Sequence, residues 1–166
     1  MEPKLKEFSI MVVDDDNLVQ KLVADVLKNL GFGKVYRADD GNTAIRMLER
    51  VTVDFIFCDW RMPEMTGPEF IKKVRTGQTR ANPMIPIIML TGNAEQHQVI
   101  EARNVGANDY LIKPFTVRQI TKRIIELVDH PREFVAAPKY LGPCRRRKVA
   151  GHKGTERRKN RKIKGV

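Results

Sequence analysis

Residues 8–16 read Phe8-Ser9-Ile10-Met11-Val12-Val13-Asp14-Asp15-Asp16. A short apolar run that ends abruptly in three carboxylates reads as a buried strand delivering acids to one edge of a sheet. The residues that follow change period. Leu18, Val19, Leu22, Val23, Val26, Leu27 and Leu30 recur at helical spacing, and Gly31 stops the helix.

The same alternation continues along the chain. Strands are expected at Lys34–Arg37, Val53–Cys58 (VDFIFC), Pro86–Leu90 (PIIML) and Asp109–Ile112. Helices are expected at Thr43–Arg50, Glu69–Arg75, Ala94–Asn104 and Val117–Val128, the last with Ile120, Ile124, Leu127 and Val128 on one face. Five apolar strands, each followed by a helix, imply an α/β fold with a doubly wound parallel sheet covered on both faces. Ligands of such sheets gather at the carboxyl ends of the strands. Asp14, Asp15, Asp59, Thr91 and Lys113 all fall there.

The charge of the chain is unevenly placed. The sequence has 31 Lys and Arg against 20 Asp and Glu, a formal net charge of +11. Residues 139–166 hold twelve of the basic side chains (Lys139, Arg145, Arg146, Arg147, Lys148, Lys153, Arg157, Arg158, Lys159, Arg161, Lys162 and Lys164) and one acid, Glu156. Residues 1–138 carry 19 of each sign, so the tail accounts for the whole imbalance. Its partner is expected to be anionic. Three parts follow: a globular domain over 1–129, a linker over 130–138 (Asp129–Pro138 contains two prolines), and an arginine-rich tail over 139–166, expected to be disordered without a ligand.

Other classes are set aside on composition. The sequence has no apolar run of about 18 residues, the length needed to span a bilayer, and Met1–Ser9 is charged, so a cytoplasmic protein is expected. Two separate cysteines, Cys58 and Cys144, do not suggest a disulfide framework, and His97, His130 and His152 are too scattered for a metal site. Cys58 is expected to be buried and inert, and Asp16 to cap the first helix.

Three carboxylates at one sheet edge repel one another, and a hard divalent cation with oxygen ligands is their natural counterweight. A lysine after another strand balances further charge. A carboxylate nucleophile so placed suits phosphoryl transfer, where positioning and electrostatics supply most of the catalysis.

The segments Val12-Val13-Asp14-Asp15, Asp59-Trp60-Arg61-Met62-Pro63-Glu64-Met65, Leu90-Thr91-Gly92 and Lys113-Pro114-Phe115, in this order, resemble the four signatures of CheY-like response-regulator receivers. The resemblance covers nearly all of residues 7–129. It implies the flavodoxin-like strand order 2-1-3-4-5 and a phosphoacceptor at Asp59. It also implies Mg²⁺ bound by Asp14, Asp15, Asp59 and the backbone carbonyl of Arg61. Thr91 and Lys113 would then contact the phosphoryl group, Tyr110 would be an aromatic switch, and Lys113-Pro114 would be cis. A histidine kinase or phosphotransfer protein is the implied phosphoryl source, and the protein is expected to be a signalling module rather than an enzyme.

Twenty-eight residues are too few for most DNA-reading domains. Arg145, Arg146, Arg147 and Lys148 form one basic cluster, and Arg157, Arg158, Lys159, Arg161 and Lys162 a second, with Tyr140 upstream. Guanidinium groups fork onto phosphates, bind guanine edges and stack on bases. The chemistry is open between a guanine nucleotide, nucleic acid, another polyanion such as anionic lipid, and a solubilising tail. A receiver followed by Tyr140-Leu141-Gly142-Pro143 and an arginine-rich tail is similar to the Cle class of CheY-like cyclic di-GMP effectors. That resemblance implies c-di-GMP contacts at Tyr140, Arg145, Arg146, Arg147, Arg157 and Arg158. It also implies engagement of the flagellar motor switch, at the flagellated pole, to tune motility. The alternative is a phosphorylation-controlled single-domain regulator whose tail binds nucleic acid or another polyanion.

Overall fold

The computed structural model describes residues 5–92, 95–145 and 161–163. Strands β1 (Ser9–Val13), β2 (Lys34–Ala38), β3 (Phe55–Asp59), β4 (Ile87–Thr91) and β5 (Asp109–Ile112) alternate with helices α1 (Asn17–Asn29), α2 (Gly41–Leu48), α3 (Gly67–Arg75), α4 (Gln96–Val105) and α5 (Val117–Asp129). The five strands form one parallel sheet in the order β2-β1-β3-β4-β5. Fold class and strand order are those expected from the sequence.

Alternation along the strands builds two cores. Met11, Val13, Ile56, Cys58, Ile87 and Met89 face α2, α3 and α4 through Leu48, Phe70, Ile71, Val74 and Ala102. Ile10, Val12, Phe55, Phe57, Ile88 and Leu90 face α1 and α5 through Val23, Leu27, Ile120 and Ile124. Fully burying each large aliphatic or aromatic side chain contributes about 1.5–3 kcal/mol. Asp16 caps α1 by accepting from the amides of Leu18 and Val19. Thr66 and Glu69 form a reciprocal capping box that starts α3.

One expectation is corrected. Residues 130–138 are not a plain linker, and the segment from 139 does not begin as a disordered tail. Strands β6 (Phe134–Ala137) and β7 (Tyr140–Pro143) form an antiparallel hairpin with a two-residue turn at Pro138-Lys139. A third strand, β8 (Arg161–Ile163), pairs antiparallel with β6. Proline is accommodated because it occupies the turn, where no ladder hydrogen bond is required of it. The expectation of disorder over 146–160 and 164–166 lies outside the described residues.

The hairpin docks where β4 and β5 begin. Phe134 is buried against the guanidinium of Arg75, which lies 5.1 Å from the ring centre. Arg75, itself 4% exposed, donates to the carbonyls of Pro83, Ile85 and Gly106 (2.7–3.0 Å) and to Asn108 Oδ1 (3.1 Å). Burial lowers its pKa to about 9.

Candidate functional site

The parallel sheet brings the carboxyl ends of β1, β3, β4 and β5 to one edge, and the charged residues meet there. Lys113 Nζ bridges two carboxylates, at 2.7 Å from Asp14 Oδ2 and 2.6 Å from Asp59 Oδ1. These residues are 99 and 54 positions apart in sequence, so only the sheet joins them. Asp14 is fully buried and Asp59 is 5% exposed. The second oxygens are also engaged: Asp14 Oδ1 accepts from the Asp16 amide, and Asp59 Oδ2 from the Arg61 amide, both at 2.9 Å.

Burial pushes the Asp59 pKa up, opposed by the hydrogen bond from Lys113; the nearby Asp14 charge pushes it up further. For Lys113, burial works against the charged form, but the bonds to Asp14 and Asp59 outweigh it and hold the pKa up. The ammonium thus keeps two buried carboxylates compatible with one site. Burial first, and then the nearby Asp59 and Asp14 charges, push the Cys58 thiol well above its usual value, which keeps this buried cysteine inert.

Asp14, Asp15 and Asp59 each bring a carboxylate oxygen within 4.8 Å of the others. Asp15 is exposed, leaving the group open on one side. Three hard anionic oxygens with one ammonium among them retain excess negative charge, a donor set that fits Mg²⁺. The sequence-expected pocket residues Asp14, Asp15, Asp59 and Lys113 are therefore brought together. Arg61 directly follows the half-buried Trp60 in the same loop.

Thr91 ends β4 at the same edge and is 3% exposed. Its hydroxyl donates to Gln98 Oε1 on α4 at 2.9 Å. Tyr110 is half-buried in β5, packed against the α2–α4 core. The Lys113-Pro114 bond is cis. His97 is exposed and lies 3.1 Å from Glu95.

Two buried glutamines were missed in the sequence. Gln20 Nε2 donates to the carbonyls of Asp14 and Ala38 and to Asp39 Oδ1, tying the ends of β1 and β2 together. Gln98 orients Thr91. Gln20 carries a faint signal, since it stands beside the apolar stripe of α1; Gln98 carries none, because α4 is weakly amphipathic. Gly67 has a clear role: a Cβ there would lie 2.2 Å from the Asp59 carbonyl oxygen, so only glycine lets α3 start beneath the pocket.

At the other end of the sheet, the Arg145 guanidinium carbon lies 4.1 Å from the Tyr140 ring centre. The Tyr140 hydroxyl reaches the carbonyls of Pro143 (2.9 Å) and Arg103 (3.4 Å), which fixes the ring on the hairpin. Arg146, Arg147, Arg157 and Arg158, the remaining expected ligand contacts, lie outside the described residues.

Comparison with known proteins agrees with this geometry. Residues 10–125 match the response regulator receiver domain. The chain is 35% identical over 124 residues to the chemotaxis protein CheY-3 of Vibrio cholerae, covering 75% of this chain and 94% of the relative. It is 36% identical over 120 residues to the chemotaxis protein CheY of Pseudomonas aeruginosa, covering 72% and 95%. Among solved structures, the chemotaxis response regulator CheY4 of Vibrio cholerae superposes with a TM-score of 0.66 at 32% identity, over 72% of this chain and 98% of that one. The receiver domain of a sensor histidine kinase from Pseudomonas aeruginosa PAO1, with magnesium coordinated in its active site cleft, gives 0.62 at 33% identity, over 72% and 94%. This chain belongs to the response regulator receiver family. It is a CheY-like receiver, of the class that is phosphorylated on aspartate and binds Mg²⁺ at an acidic pocket, and its matched region ends before the docked hairpin begins.

Proposed function

We propose that this protein is a CheY-like signalling effector with two inputs, a phosphoryl group on Asp59 and cyclic di-GMP on the arginine-rich tail, whose output is the flagellar motor switch. The observation that carries the first input is the Lys113 bridge between Asp14 and Asp59. An ionised Asp59 oxygen attacks the phosphorus of a phosphohistidine on a kinase or phosphotransfer protein. The O–P bond forms as the P–N bond breaks, and the electron pair leaves with the imidazole nitrogen. Asp59 becomes an acyl phosphate. Lys113 keeps the carboxylate ionised against burial and then faces the phosphoryl oxygens, and Thr91 supplies a hydroxyl to one of them. Mg²⁺, when bound by Asp14, Asp15, Asp59 and the Arg61 carbonyl, supplies positive charge toward the same oxygens.

The second input rests on the tail's +11 charge, on the Tyr140–Arg145 stack, and on the resemblance to the Cle class. Cyclic di-GMP offers two phosphates to fork onto and two guanines to stack and read, the chemistry that arginines and a fixed tyrosine recognise. The motor output is supported by the two relatives named chemotaxis proteins. On this reading the protein transmits a signal and turns over no separate substrate.

Calorimetric titration of c-di-GMP into the wild type and into an Arg145→Ala/Arg146→Ala/Arg147→Ala variant at moderate salt tests the tail. Binding by the wild type and its loss in the variant support the site. Equal affinity in the two, or a preference for long nucleic acid over the cyclic dinucleotide, overturns it.

A further inference from the structure

Thr91 has a single hydroxyl proton, and it is donated to Gln98 Oε1 at 2.9 Å, with both residues buried. A phosphoryl oxygen on Asp59 would need that same proton. The two bonds exclude one another. When Thr91 turns to a phosphoryl group, Gln98 is left with a buried acceptor lacking that donor. This cost is relieved only if the side chain or its helix moves.

Gln98 lies in the first turn of α4, and the other end of that helix is held. Gly106, which follows α4 with φ 99°, packs directly on the hairpin: a Cβ there would lie 2.8 Å from the Leu141 carbonyl oxygen. The Gly106 carbonyl accepts from Arg75 at 3.0 Å, and Arg75 in turn lies against the buried Phe134 ring. The Tyr140 hydroxyl reaches the Arg103 carbonyl in the last turn of α4. A ten-residue helix is about 15 Å long and moves as a unit. One end of α4 therefore senses Thr91, and the other carries the docked hairpin.

We propose that Gln98 is a positioning residue and that α4 couples the pocket to the C-terminal hairpin. The docked hairpin holds the Thr91–Gln98 bond and so opposes a phosphoryl group on Asp59. By reciprocity, a phosphoryl group loosens the hairpin that carries Tyr140 and Arg145. This inference rests on the reading of Asp59 as acceptor, but not on the identity of the tail's ligand.

The test is a titration of the full-length protein, in Mg²⁺, with beryllofluoride as the phosphoryl probe. Binding is followed by the fluorescence of Trp60, next to Asp59, and by fluorine NMR. Loosening the hairpin with Phe134→Ala should tighten beryllofluoride binding about 10-fold, within the usual span of coupling between sites. Tyr140→Phe removes only a hydroxyl and should act in the same direction by about 3-fold, keeping the test available if Phe134→Ala unfolds. Gln98→Leu should tighten binding on its own and erase the effect of either hairpin variant, a non-additivity that a merely structural role would not produce. Equal affinity in the wild type and the hairpin variants, or a hairpin effect undiminished in the Gln98→Leu background, overturns the coupling alone. Absence of any beryllofluoride binding by the wild type overturns the acceptor reading and this inference with it.

Discussion

Two charged side chains, one half-buried and one buried, sit at opposite ends of the sheet, and they are satisfied in opposite ways. At the carboxyl end, Lys113 sits between Asp14 and Asp59, so charge meets charge. At the amino end, Arg75 is surrounded by the neutral oxygens of Pro83, Ile85, Gly106 and Asn108 and by the Phe134 ring. The ionic cluster has an exposed flank at Asp15 and an acidic excess, so it can accept a cation and undergo chemistry. The arginine cluster is closed and ties α3, the starts of β4 and β5, and the hairpin into one piece. The first arrangement suits a reactive site, the second an anchor.

The difference can be broken at either end. Arg75→Met should have the largest effect on stability, about 4 kcal/mol, because four acceptors around this buried guanidinium each lose a hydrogen bond at once. Denaturant unfolding measures the loss, and hydrogen exchange should show the hairpin losing protection first. Lys113→Ala should cost somewhat less, about 3 kcal/mol without divalent cations, since a buried ion pair is broken but the lysine is 23% exposed. Added Mg²⁺ should restore most of that stability, whereas it should do nothing for Arg75→Met. The triple change of Arg145, Arg146 and Arg147 to Ala should weaken c-di-GMP binding about 100-fold in calorimetry, from the loss of charge-assisted hydrogen bonds, and leave the unfolding curve unmoved.

The smallest expected effect is on pH dependence. Burial raises the Asp59 pKa above its unfolded value, so the folded, metal-free protein holds that proton more tightly than the unfolded chain. Stability from this group is therefore lost as pH rises through the folded pKa. Asp59→Asn removes the loss, and its unfolding midpoint should exceed that of the wild type near pH 7 without Mg²⁺. The gain should fade as pH falls below the unfolded Asp pKa of about 3.9, where the wild-type carboxyl becomes protonated in both states.

These two ends were unequally legible in the sequence. The pocket could be read because each of Asp14, Asp59, Thr91 and Lys113 sits at or just past the end of an apolar strand, and a parallel sheet sends all strand ends to one edge. The anchor could not be read. Arg75 looks like a solvated last-turn arginine of α3, complementing the helix dipole, and nothing local tells that its partners are carbonyls up to 31 residues away. The hairpin was hidden by Pro138, which suggests a linker; the better signal was the pair Phe134-Val135 and Tyr140-Leu141 flanking a two-residue turn. Gln98 was invisible because its role depends on α4 crossing the end of β4, a tertiary fact.

Asp59 is the reacting group on which phosphoryl signalling by this protein depends. The decisive measurement is mass spectrometry of the full-length protein after incubation with Mg²⁺ and a small phosphoryl donor such as acetyl phosphate, with peptide mapping of the product. One phosphoryl group on the peptide that contains Asp59, absent from Asp59→Asn and from samples stripped of Mg²⁺, is the predicted result. No incorporation by the folded wild type, or equal incorporation by Asp59→Asn, would contradict it.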